Sequence, residues 1–323
     1  MGNQVPHQGS RRGSGQESAL RLLCVMMACA IVLGCSNAAF AKDADNDGDD
    51  DDNGAGTKST SVWPTTYLDM RTSYATVPAG SLPIGFGNTA LATALQTLAL
   101  SSGRSLPTSL PLASRQGVAI DLPLTVDVTD HISLYAGVSG TATNISGQGW
   151  SSFDVTSWNV GFQADVYEQK GGKIPTITWQ STYTQSIPNN TLGTTNFNNI
   201  LEFDYAFDKD ETRGLLAGVQ DVRVELGTAL ARVHPSDIVY VGGYYQWPSN
   251  WKFTGRFGVQ HFGGAELLSF TPIQSFTQPV LRLDLDRMDD NDNRLFGVMA
   301  EIMWVPKPAY LLTLRTPLFL VRN

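Results

Sequence analysis

The chain has 323 residues, with 22 Lys and Arg against 30 Asp and Glu, and its formal charge of −8 argues against a nucleic-acid binder. Its three cysteines, Cys24, Cys29 and Cys35, all lie near the start, so the remainder holds no disulfide, thiol nucleophile or thiolate metal site.

In chain order, Arg11, Arg12 and Arg21 precede an apolar run from Leu22 to Gly34, and "AAFA" closes the region with Ala39 and Ala41. A spanning helix needs about 20 apolar residues, and this run is shorter. Basic flank, short apolar run and A-x-A close are the layout of a secretory signal peptide over residues 1–41. "VLGC", ending at Cys35, offers a competing lipoprotein cleavage, although Leu33 is bulkier than such a box favours. Residues 42–61 read as an acidic linker, because "KDADNDGDDDDNGAG" repels itself and has nothing apolar to bury. Asp43, Asp45, Asp47 and Asp51, with Gly48 at the turn, have the spacing of the first part of a calcium loop. Gly54 stands where a bidentate glutamate would close it. The segment is read as a solvated spacer, with weak calcium binding as the sharper alternative.

Residues 62–323 carry no second long apolar run. Short stretches of period two recur instead, the mark of strands with one apolar face. Ile132, Leu134, Ala136 and Val138 alternate with Ser133, Tyr135, Gly137 and Ser139. Trp158, Val160 and Phe162 alternate with Asn159, Gly161 and Gln163, and Leu201, Phe203 and Tyr205 oppose Glu202 and Asp204. Later, Phe253, Phe257 and Val259 oppose Thr254, Arg256 and Gln260, and Leu281, Leu283 and Leu285 oppose Arg282, Asp284 and Asp286. Turn-forming pieces such as "VTDH", "QKGGK", "FDKDE", "WPSN" and "MDDNDNR" separate the runs. Thirteen candidate strands result, at 66–77, 117–129, 131–142, 153–168, 173–186, 196–207, 212–220, 222–232, 237–247, 251–262, 278–286, 294–304 and 309–320. An even number is expected of a bacterial barrel, so two candidates meeting near Val219 to Arg223 form one strand, giving 12, or one was missed, giving 14.

The fold class expected is all-β, an antiparallel up-and-down transmembrane barrel. Only closure allows such strands to cross hydrocarbon without unpaired backbone groups. Trp150, Tyr167, Tyr183, Trp247, Trp251, Trp304 and Tyr310 fall near strand ends, where interfacial girdles form. A soluble all-β core remains the alternative reading of the same alternation. Between the first two strands, Gly87 to Gly117 departs from the pattern, with Leu91, Leu95, Leu98 and Ala99 at helical spacing. This partly helical insertion reads as a constriction or lid, or as a plain surface loop.

"VAIDLPLTVDVTDHISLYAGVSG" followed by "WNVGFQADVYEQKGGKIPTITWQSTYTQSIP" resembles the proteobacterial outer-membrane porins or transporters of the phenol meta-degradation pathway group, over Gly117 to Pro188. The resemblance implies an outer-membrane location in a Gram-negative bacterium, with lipid and the barrel assembly machinery as partners. It also implies a small solute, hydrophobic or aromatic, as cargo. Such barrels generally finish on an aromatic residue, whereas Phe319 here lies short of the terminal Asn323.

The histidines His131, His234 and His261 form no metal-binding spacing, and Ser236 beside His234 lacks a G-x-S-x-G elbow, so no enzyme is expected. On the barrel reading, Glu202, Asp204, Arg223, Glu225, Arg256, Arg282, Asp284 and Asp286 line the pore, where paired or opposed charges screen solutes. The expected function is a channel for small molecules. A non-conducting structural or surface-interaction barrel and a secreted all-β binding protein are the alternatives.

Overall fold

The structure, a computed structural model, describes residues 65–78, 114–145, 149–187, 193–227, 231–267, 270–289, 294–304 and 307–321. The stretches expected to be a signal peptide and an acidic linker with its four aspartates, and residues 79–113 of the insertion expected to be partly helical, lie outside the described residues.

Among the described residues twelve long strands run in chain order: β1 Thr66–Val77, β2 Arg115–Thr129, β3 Ile132–Ile145, β4 Asp154–Tyr167, β5 Thr176–Ser186 and β6 Thr194–Ala206, then β7 Arg213–Leu226, β8 Ser236–Gln246, β9 Trp251–Phe262, β10 Phe276–Met288, β11 Arg294–Met303 and β12 Ala309–Val321. Each pairs antiparallel with its chain neighbours, and β1 pairs with both β2 and β12, which closes the sheet on itself. The two-residue piece Gly149–Trp150 adds to β3 only at its end. Ala231–Val233, Ala265–Leu267 and Phe270–Ile273 form a separate small sheet. The sequence candidates 212–220 and 222–232 are largely one strand, β7, so the count of 12 holds.

Burial is inverted relative to a water-soluble core. Gln260 and Gln278 are 0% exposed and Glu301 1%, whereas Val239 is 60% and Val241 61% exposed. Along β7 the alternation is strict: Gly214, Leu216, Gly218, Gln220, Val222 and Val224 are buried, and Leu215, Ala217 and Val219 are exposed. Soluble monomers rarely carry continuous apolar surface on this scale. A bilayer resolves the inversion, since polar side chains then face an enclosed lumen and apolar ones face lipid.

Register locates the edge of the apolar band. Val219, Val239, Val259 and Pro279 form one outward cross-strand row, and the next outward row is Asp221, Asp237, His261 and Thr277. At the opposite rim stand Tyr245, Trp247, Trp251 and Phe296, with Tyr245 and Trp247 in edge contact and Trp251 against Phe296. Between Asp237 and Trp247 a tilted strand climbs roughly 25 Å, the height of the hydrocarbon band.

Connections at the end holding both chain termini are short, covering 130–131, 168–175, 207–212, 247–250 and 289–293. Those at the other end are longer on the whole, the longest being 78–114. The short turns are tied down by side chains. Gln169 accepts a bond from the Ala206 N–H at 2.8 Å and donates to its carbonyl at 3.0 Å, so one amide side chain acts as a piece of strand between two turns. Asp208 accepts bonds from the N–H and hydroxyl of Thr212, which closes the β6–β7 turn.

Candidate functional site

The inner wall is not uniform. From β9 around to β1 it carries a ladder of ion pairs, built because the inward positions of these strands are polar in sequence. Asp284, 2% exposed, is the hub: Arg282 Nε lies at 2.9 Å, Arg315 Nη2 at 2.7 Å and Arg256 Nη1 at 3.4 Å. Asp286 takes Arg315 and Arg294, each at 3.0 Å. Asp69 on β1 lies 3.9 Å from Arg294 and 4.0 Å from Arg71. At the other end of the ladder, Arg256 Nε meets Glu202 at 3.0 Å, and Tyr240 donates its hydroxyl to the same carboxylate at 2.7 Å.

Two glycines make these contacts possible. Glu202 and Tyr240 are separated by a whole strand, with Gly218 between them in register. A Cβ at Gly218 would sit 2.4 Å from Cζ and Oη of Tyr240, so the bare backbone is the shelf on which the ring lies. Gly297 likewise separates Asp286 from Arg315 in register, and a Cβ there would fall 1.9 Å from Asp286 Oδ1. Removing one partner of such an enclosed pair typically costs about 3–5 kcal/mol, because a desolvated charge is left behind. The ladder is therefore rigid. Arg71 is its most open member, with 46% of its side chain exposed.

The wall from β2 to β6 is chemically different. It presents hydroxyls and amides, including Thr125, Ser139, Ser157, Asn196 and Asn198, all buried. Tyr135 bonds Thr182 at 2.6 Å and accepts from Gln180 at 3.1 Å. Beside the ladder, inward Leu216, Ile238, Tyr240, Val280, Met299, Met303 and Leu311 form an apolar stretch. Next to it Gln278 donates to Gln260 at 2.9 Å and Gln260 to Ser236 at 2.8 Å.

Of the residues singled out in sequence, Glu202, Asp204, Arg256, Arg282, Asp284 and Asp286 lie on the inward face. All but Asp204 join the ladder; Asp204 instead bonds the Tyr244 hydroxyl. Arg223 and Glu225 do not belong with them. They lie on the outward face of β7, where Val222 and Val224 take the inward positions, and Arg223 pairs with Asp221 at 2.9 Å. The cause is that β7 continues past the apolar band, so polar residues return to its outer face there. Asp69, Arg71, Arg294, Glu301 and Arg315 escaped the sequence reading, although Arg315 stands between outward Leu314 and Thr316 in the same alternation. Among the described residues no group of three or more His, Cys, Asp or Glu side chains is placed to hold a metal.

An apolar belt outside, a closed hydrogen-bonded wall and a polar interior define an integral β-barrel of the Gram-negative outer membrane. Among solved structures the chain is similar to an outer-membrane channel from Pseudomonas putida F1, with a TM-score of 0.50 and 9% identity over 82% of this chain and all of that one. It is also similar to the translocator domain of the autotransporter NalP from Neisseria meningitidis, with a TM-score of 0.44 and 9% identity over 90% of this chain and 96% of that one. The transport unit of the autotransporter AIDA-I from Escherichia coli gives a TM-score of 0.42 and 8% identity over 91% and 97%. At these identities the likeness is one of fold. No family model and no curated protein sequence matches the chain.

Proposed function

We propose that this barrel is a channel that admits small solutes across the outer membrane, and that solutes with a hydrophobic or aromatic body are its cargo. The observation that carries the reading is the inner wall itself, where a fixed ladder of arginines and carboxylates runs beside inward apolar side chains. An amphiphilic wall of this kind supports passage of molecules with an apolar body and a polar end. A 12-stranded barrel is narrower than a 16-stranded aqueous porin, which favours slow passage of small molecules over bulk flow. Residues 1–41 then serve as the export signal, and the mature chain begins at Lys42.

The test is transport by the refolded full-length mature chain. Planar bilayers should show discrete currents, and vesicles carrying the barrel should admit phenol-sized aromatics faster than a sugar of similar mass. Absence of current and of solute entry from correctly folded protein would reject the channel and favour a structural barrel.

A further inference from the structure

Arg115 opens β2 at the end of the barrel remote from the chain termini. It is 8% exposed, and its Nη2 is buried without a hydrogen-bond partner. None of the ion pairs among the described residues involves it. It is thus unlike Arg256, Arg282, Arg294 and Arg315, each of which meets a carboxylate. A buried guanidinium without a counter-charge is costly and calls for an explanation, and a bound anion is one that removes the cost.

A cavity of about 450 Å³ lies against this residue and reaches over the rim of the sheet, since its lining joins inward Val77 and Arg115 to Thr76, Gln116, Asn144 and Tyr310 of the adjacent outward row, with Ser114 beside them. The lining supplies hydroxyls and amides and contains no carboxylate. Neutral donors around one cation suit an anion and not a second cation. The guanidinium fork matches paired oxygens of a tetrahedral or planar oxyanion. Asn144, Gln116, Thr76 and Tyr310 form one cross-strand row, and the outward row below it begins with Ala142, Val118 and Tyr74. The cavity therefore lies at the edge of the apolar band, where lipid headgroups and dissolved molecules both reach.

We propose that Arg115, with Thr76, Ser114, Gln116 and Asn144, forms a binding site for a phosphate group at this rim, contributed by a lipid headgroup or by a soluble molecule. The assignment is independent of the channel reading, because it concerns the rim and not passage.

The experiment uses the full mature chain in an uncharged, phosphate-free detergent, with the unfolding midpoint read by heat-modified gel migration. Inorganic phosphate is titrated at constant ionic strength against chloride, and in a second arm phosphorylated lipid A is compared with its dephosphorylated form. If wild type is stabilised by inorganic phosphate and Arg115→Met is not, the site stands and takes soluble anions. If only phosphorylated lipid A stabilises wild type and Arg115→Met again does not respond, the site stands and the headgroup is its ligand. The variant should bind roughly 10–100-fold more weakly. Its midpoint without ligand should match or exceed that of wild type, because an unpaired buried charge has been removed. Should Arg115→Met fail to fold, Gln116→Ala at an exposed lining position should show the weakened response. A wild-type midpoint indifferent to both probes, or equal responses in wild type and variants, would overturn the proposal.

Discussion

Gly218→Ala is the smallest change that tests how the inner wall is assembled. The new methyl carbon would stand 2.4 Å from Cζ and Oη of Tyr240 and 2.9 Å from the Leu201 carbonyl oxygen. Atoms cannot remain at such separations, so the ring must lift from the strand, and its 2.7 Å bond to Glu202 is lost. Hydrogen bonds to charged groups contribute about 1.5–3 kcal/mol, and forcing a methyl group into a filled site costs about 1–3 kcal/mol. The two effects overlap, since the same ring movement relieves one while causing the other. A net destabilisation of about 3 kcal/mol is expected, read from guanidinium unfolding of the barrel in vesicles by tryptophan fluorescence. Tyr240→Phe should cost about 1.5–3 kcal/mol by removing only the hydroxyl. The decisive comparison is Gly218→Ala in a Tyr240→Ala background, where the ring is gone and only the 2.9 Å approach to the Leu201 carbonyl oxygen remains, so the added methyl should cost at least about 1.5 kcal/mol less than in wild type. Contacting residues couple in this way and distant ones do not. Equal costs in both backgrounds, or a single mutant as stable as wild type, would refute the interlocking account.

The placement of the apolar band predicts that Val241→Arg on the outer face costs about 2–4 kcal/mol while Asp237→Arg, one row beyond the band, costs about 0–1 kcal/mol, as measured by vesicle unfolding. Replacing both Arg256 and Arg282 with Gln should shift the reversal potential in a salt gradient toward cations, because Glu202, Asp284 and Asp286 remain in the lumen; an unchanged potential in folded protein would place the arginines off the conduction path. In the β6–β7 turn, the Thr212 hydroxyl, helped by the Thr212 N–H and nearby Arg213, holds the Asp208 carboxyl below the usual carboxylate range. The depressed value means that this contribution to stability is complete above the ordinary carboxylate pKa and is lost as pH falls through the lowered one. Thr212→Val should raise the Asp208 midpoint toward its ordinary value in a carbon-13 NMR titration, and an unmoved midpoint would exclude the hydroxyl as the main cause.

Much of the barrel was legible because period-two alternation is a local signal. Strands β1 and β9 coincide with their sequence candidates, since "TYLDMRTSYATV" and "WKFTGRFGVQHF" alternate cleanly between turn residues. β7 was divided because "RGLLAGVQDVRVEL" holds glycine and polar residues on a face that also holds Leu216 and Val222, so no single contrast runs its length. The reason is physical: near one end the band gives way to water outside while apolar side chains fill the inside. Both faces then reverse character within one strand. Assigning Arg223 and Glu225 by polarity alone therefore placed them on the wrong side.

The ladder was half legible for a different reason. Alternation identifies which residues face inward but not which of them meet, because meeting depends on register across several strands. Asp286 and Arg315 are neighbours only because β11 lies between them and presents Gly297 at the crossing point. Tyr240 reaches Glu202 over Gly218, and Tyr244 reaches Asp204 near Gly214, by the same geometry. In sequence these glycines read as weak points in strands. Once the sheet closes they are the positions where side chains from flanking strands can cross, and an isolated strand carries no sign of that role. The inward charges are therefore fixed jointly by alternation, which is local, and by small residues whose value appears only in the paired sheet. A substitution at Gly218 or Gly297 should disturb inner-wall charges on strands it does not belong to, while the strand that carries it keeps its own pairing.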